Sequence, residues 1–242
     1  MGTLIGMTQE LTEHHGIHHV EGRDVPWVLW LPDNEPAKAL VLIGHGASGD
    51  KRESYVVALA RMLAARGVAS LSIDGPVHGE RRDPSTTSLP FFDFAAAWSS
   101  NELLTDEMIA DWRSTLDMVL ADDFLPPDVA VGYWGLSMGT ILGLPLVVSE
   151  PRIKACVLGL MGSTGPSKDR IVTDAQRLEI PTMFLVQWDD QLFHRRDTLA
   201  LFGELAPSDK VLVATPGNHG DVTAESFQRS AEFLLKRLGI SK

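Results

Sequence analysis

Five residues, Gly135-Leu136-Ser137-Met138-Gly139, constrain this chain more than any others. They follow the apolar run from Asp128 to Trp134, which reads as a buried strand. They precede Thr140 to Glu150, a stretch long enough and apolar enough for a helix packed on a sheet. The spacing therefore predicts strand, sharp turn, helix. Two glycines flank the serine, and without β-carbons the strand and helix can approach closely while the serine takes a strained backbone conformation. Its hydroxyl would then project above the sheet edge. The N-terminus of the following helix would point free N–H groups at charge developing on a bound carbonyl oxygen. Taken alone, the pentapeptide also fits a plain tight turn with an incidental serine. Its partners elsewhere in the chain decide.

The remaining sequence keeps a strand–helix rhythm. Residues 12–20 and 25–31 form a candidate hairpin around a turn at Glu21-Gly22-Arg23-Asp24, with Pro26 suggesting an edge or strand-start position. Ala39 to His45 reads as a central strand, Ser54 to Arg66 as a helix capped by Gly67, and Val68 to Ile73 as the next strand. This is the βαβ signature of a parallel sheet. Residues 75–101 break the rhythm and read as a long loop near the site, with Phe91 a candidate to line a pocket. Thr105 to Ala121 is a helix, Lys154 to Leu160 a buried strand, and 168–179 a weak helix. Pro181 to Trp188 and Lys210 to Thr215 are strands separated by a helix over 195–206, and Val222 to Leu238 is a closing amphipathic helix.

Composition removes several classes of function. With 242 residues and a net charge of −11, the chain lacks the basic face that phosphate backbones or anionic membranes require. No apolar run reaches spanning length, and Met1 to Glu10 is not a secretory signal, so a cytoplasmic protein is expected. The single cysteine, Cys156, sits in a probable core strand and reads as inert. His14, His15, His18 and His19 invite a metal site, but neighbouring strand residues face opposite sides and no partner sits at a ligand spacing. No metal and no cofactor is expected.

In open parallel sheets ligands bind at the carboxyl ends of the strands. There the sequence places His45-Gly46-Ala47, Asp74, Ser137, Met161, Asp189-Asp190 and His219. A serine, an acid and a histidine thus recur in that chain order. On these residues, together with Asp74-Gly75-Pro76-Val77-His78-Gly79-Glu80 and Gly217-Asn218-His219-Gly220, the chain resembles the α/β-hydrolase superfamily. Within it the chain looks like the compact dienelactone hydrolase-like and small serine esterase branches. The resemblance runs from about Leu40 to the C-terminal helix. It departs at Val77 and at Gln187, where relatives commonly carry glycine.

The resemblance implies a single α/β-hydrolase domain over 1–242, with about eight mostly parallel strands, helices on both faces and no large cap. Residues 161–180 are too few for such a cap. It implies a serine hydrolase acting on small to medium soluble carboxylic esters through an acyl-enzyme. Ser137 would be the nucleophile and His219 the general base. Asp189 and Asp190 both qualify as the orienting acid; counting three residues on from Gln187 favours Asp190. The backbone N–H groups of Ala47 and Met138 would form the oxyanion hole. Met161, Trp188, Phe193 and Phe91 are the candidates for an apolar substrate pocket. His45 reads as structural, and His78 precedes the serine, against the family order. Arg81 and Arg82 could clamp a substrate carboxylate, or pair on the surface. Alternatives are the same triad acting on thioester, amide or carbon–carbon bonds, and a non-catalytic binding protein. The sequence leaves oligomeric state open.

Overall fold

The computed structural model describes residues 11–33 and 35–240. Met1 to Glu10, read above for a secretion signal, lie outside the described residues. The strands are β1 (Thr12–Val20), β2 (Arg23–Leu31), β3 (Ala39–Gly44), β4 (Val68–Ile73), β5 (Ala130–Gly135), β6 (Ile153–Gly159), β7 (Thr182–Gln187) and β8 (Lys210–Thr215). They form one eight-stranded sheet in the order β1-β2-β4-β3-β5-β6-β7-β8. The β1–β2 and β2–β4 pairs are antiparallel and every other pair is parallel. The central strands β3 and β4 are buried at every position, as two-sided parallel strands must be. Edge strand β1 instead alternates partly buried and exposed residues.

The hairpin is tighter than expected. Only Glu21 and Gly22 separate β1 from β2, with φ of 49° and 81°. Two consecutive positive φ values make the turn whose twist matches paired strands. Strand β2 is also not an edge strand, despite Pro26. Its ladder with β4 begins at Trp27, so no β4 carbonyl needs an N–H from Pro26, whose own carbonyl accepts from Asp74 N (3.0 Å).

Helices cover both faces. α1 (Ser54–Ala64) and α7 (Ala224–Arg237) pack on one face around Val56, Leu59, Leu63, Leu234 and Leu235. α3 (Leu104–Ala121), α4 (Met138–Ser149), α5 (Lys168–Arg177) and α6 (Arg195–Glu204) pack on the other. α4 is apolar around its whole circumference and is buried between the sheet, α3 and α5. Among the described residues no helix is long and apolar enough to cross a membrane.

Residues 75–101 are not one continuous loop. They contain a 3-10 turn at Gly79–Arg81 and an eleven-residue helix, α2 (Pro90–Ser100). Proline at its first position and Asp93 in its first turn suit a helix start. The helix escapes a periodicity reading because Phe94 is its one buried residue while Phe91 and Phe92 stay exposed.

Candidate active site

Between β5 and α4 the backbone reverses through Ser137, whose φ of 57° and ψ of −118° lie outside the regions ordinary residues prefer. Close packing enforces this. A β-carbon on Gly135 would come within 2.6 Å of Gly139 O, and one on Gly139 would overlap Gly44 O. Ser137 N–H donates to Gly159 O (3.0 Å), and the Thr140 hydroxyl lies 2.9 Å from Gly135 O and 2.7 Å from Gly159 O. Beneath the turn the Tyr133 hydroxyl donates to Gly139 O (2.6 Å). It fills the space that β-carbons on Gly44, Gly135 and Gly143 would need.

Ser137 Oγ lies 2.9 Å from His219 Nε2, and His219 Nδ1 lies 2.8 Å from Asp190 Oδ2. Three loops past three parallel strands thus converge on one line of hydrogen bonds. Asp190 is the turn carboxylate that reaches the ring; Asp189 is exposed, and its Oδ2 lies 3.4 Å from Gly217 N. The Asp190 side chain is 3% exposed and His219's is 14% exposed. Burial alone would raise the Asp190 pKa. The hydrogen bond with His219 and the N–H groups of Phe193 (3.0 Å) and Leu192 (2.8 Å) outweigh it and hold the group below its ordinary value. Gln191 Oε1 accepts His219 N (2.9 Å), and the Phe193 ring lies 5.8 Å from the imidazole.

Met138 opens α4, so its N–H has no partner four residues back. Ala47 sits on the loop after β3, which several buried groups hold. His45 Nδ1 lies 2.9 Å from Gly46 O, and its Nε2 accepts Gly75 N (2.8 Å). The ring is therefore the neutral Nδ1–H form, and burial followed by the nearby His78 ring lowers its pKa to about 4. Because Gly46 O and Ala47 N–H belong to one trans peptide, this bond fixes where the Ala47 N–H points. Gly46 N donates to the Tyr55 hydroxyl (2.7 Å). His78 Nε2 lies 3.0 Å from Ala47 O, so this histidine braces the loop and does not join Ser137. Lys51, at the loop's end, pairs with Asp74 at 2.8 Å.

The remaining candidates separate. A cleft of about 580 Å³ opens beside Ser137, with Tyr55, Phe91, Trp134, Leu160 and Phe227 among its walls. Phe91 thus lines it, whereas Met161 is buried in the core and off that lining. Leu160 takes the place expected of Met161, because its φ of 51° breaks strand alternation just after β6. Trp188 faces a separate shallow depression, under the Arg195 guanidinium (4.2 Å). Phe193 contacts the His219 ring and is also off the cleft lining. Arg81 and Arg82 pair with Asp111 (2.8 Å) and Asp93 (3.0 Å), so neither is a free clamp. The β1 histidines disperse: His14 meets the Phe124 ring, His18 meets Ser114 and His19 meets Asp24. No group of three potential ligands occurs among the described residues. Cys156 is buried and burial pushes its thiol up to about 12. Tyr55, Trp134 and Phe227 were not anticipated; an aromatic in the strand before the serine was the available signal.

No protein-family model matches the chain. Residues covering 57% of it are 26% identical, over 139 residues, to 2,6-dihydropseudooxynicotine hydrolase of Paenarthrobacter nicotinovorans. That match spans about a third of the relative's length (32%). The structure superimposes on a cold-adapted esterase from an Arctic intertidal metagenomic library with a TM-score of 0.84, 37% identity and 94% of each chain covered. It also matches the dienelactone hydrolase of Anabaena variabilis ATCC 29413 in fold, with a TM-score of 0.66 and 18% identity over 95% of this chain and 97% of that one. Sheet order, the strained turn at Ser137 and identity along nearly the full length agree: the chain belongs to the α/β-hydrolase superfamily.

Proposed function

We propose that this protein is a serine hydrolase cleaving carboxylic esters of small to medium soluble molecules. The observation that carries the reading is the line Ser137 Oγ–His219 Nε2–His219 Nδ1–Asp190 Oδ2, with spacings of 2.9 and 2.8 Å. Ser137 Oγ attacks the ester carbonyl as His219 Nε2 takes its proton. Asp190 holds the Nδ1–H tautomer and stabilises the imidazolium that forms. The Ala47 and Met138 N–H groups receive the negative carbonyl oxygen. The tetrahedral adduct collapses, the alcohol leaves with the proton from His219, and Ser137 keeps the acyl group. Water, activated by the same histidine, then releases the acid.

The 37% identical relative described as an esterase supports the ester bond over thioester or amide. A fluorophosphonate probe tests the nucleophile: it should label the folded protein and fail on Ser137→Ala. Equal labelling of both proteins would sink the reading. A panel of nitrophenyl esters of rising chain length, beside thioester and anilide analogues, tests the bond; faster anilide cleavage would move the assignment to amides.

A further inference from the structure

The cleft beside Ser137 has an uneven chemistry. The Trp134 ring stacks on Phe227 (5.5 Å between centroids, 25°), and Tyr55 lies 6.1 Å from Trp134 and 6.0 Å from Phe227. Phe91 from α2 lines the same space. Glu53, just before α1, is the one carboxylate on the lining; no lysine or arginine lines it among the described residues. Glu53 Oε1 accepts Ser54 N (2.9 Å), which holds the carboxylate at the helix end. The ion pairs of this loop, Lys51 with Asp74 and Glu80 and Arg52 with Glu13, leave Glu53 out. Burial pushes the Tyr55 phenol up to about 12, against the Gly46 N–H, and the Glu53 and Asp50 charges add smaller pushes in the same direction as burial.

Aromatic faces attract cations through their quadrupole, and an adjacent carboxylate adds a Coulomb attraction in a partly desolvated space. We propose that the substrate arm occupying this cleft carries an organic cation, an alkyl- or arylalkylammonium group held between the rings of Tyr55, Phe91 and Phe227 and the Glu53 carboxylate. This rests on the esterase reading for the word substrate; the recognition chemistry does not. A neutral aliphatic arm would fill the volume without meeting the charge.

Calorimetry with two soluble probes of similar size tests this without turnover. Phenethylammonium should bind the wild-type protein about five- to tenfold tighter than 2-phenylethanol at low salt. Glu53→Gln, which keeps the acceptor for Ser54 N, should bring the two within about twofold. Phe227→Leu should also weaken the cation more than the alcohol. Equal affinities in the wild type, or a cation preference that persists in both variants, would overturn the proposal. If simple acetates are hydrolysed and Ser137 is labelled while the probes bind equally, this inference alone fails. If the cation is preferred but Ser137 resists labelling, the cleft chemistry holds and the esterase reading falls.

Discussion

Replacing Lys51 with methionine asks whether a buried ion pair holds the loop that carries Ala47. The Lys51 side chain is 4% exposed and Asp74 is fully buried, with Nζ 2.8 Å from Asp74 Oδ2. Asp74 also accepts the backbone N–H groups of Lys51 (3.0 Å) and Glu80 (2.9 Å), which joins the loop after β3 to the turn after β4. Methionine keeps most of the stem but leaves Asp74 without its counter-charge. Breaking a buried pair from one side costs about 3–5 kcal/mol. Lys51 also meets Glu80 (2.5 Å), but that side chain is 58% exposed, so screening limits its share to about 0.5 kcal/mol. In a chain of this size each kcal/mol moves Tm by about 2–4 °C, so the melting point should fall by about 6–20 °C. Differential scanning calorimetry reads this directly. Asp74→Asn should cost a similar amount, and the double variant should cost at least about 2 kcal/mol less than the sum of the singles. Below its melting point, Lys51→Met should lose about tenfold in kcat with a smaller change in KM, because moving the Ala47 N–H, the oxyanion donor proposed above, would act on the transition state. A melting point within about 2 °C of wild type, or strictly additive singles, would refute the account.

Asp190→Asn should lower kcat by about three to four orders of magnitude with the fold intact; a loss under tenfold would shift the orienting role to another acid. The neutral form of His45 makes stability pH-dependent. Its folded pKa of about 4 lies below the ordinary 6.5, so the unfolded chain binds the proton first as pH falls. Its contribution, about 3 kcal/mol, is complete above about pH 6.5 and drains away toward pH 4. Urea midpoints at pH 7 and 4.5 should show this, with a shallower decline in His45→Gln. Asp190, whose folded pKa is also lowered, adds a loss of the same sign below about pH 4. Val77→Gly should raise stability by about 1 kcal/mol, because Val77 holds φ at 59°; an unchanged or lower melting point would contradict this.

The succession of strands and helices along the chain and the residues at strand ends were legible because each depends on local apolar runs and on a rule that needs no distances. Val77 illustrates a finer case. The sequence departs from glycine there, and the backbone keeps the left-handed conformation regardless, with the turn fixed by Asp74 accepting Glu80 N. What escaped depended on the third dimension. A helix that buries only Phe94 leaves no apolar stripe to read over 90–100. Leu160 and Met161 exchange places because one positive φ interrupts alternation. Choosing between Asp189 and Asp190 needed the rotation of a turn, and the walls formed by Tyr55 and Phe227 come from helices α1 and α7, far apart in sequence.

The tyrosine under the serine turn has a consequence for how such a site can change over time. The Tyr133 hydroxyl occupies the room of three absent methyl groups, at Gly44, Gly135 and Gly143. An alanine at Gly44 collides with that oxygen, while the nearest ring carbon stands 3.2 Å away, so the methyl is barred while the tyrosine stays and eased once phenylalanine replaces it. Gly143 differs: there the ring carbons overlap a methyl as the hydroxyl does, so any aromatic ring at 133 keeps it glycine. The order of substitutions then matters at Gly44: a lineage must lose the hydroxyl before it can gain that methyl, and once the methyl is fixed the tyrosine cannot return. Tyr133 and Gly44, on neighbouring strands, therefore form one heritable unit with a one-way ratchet.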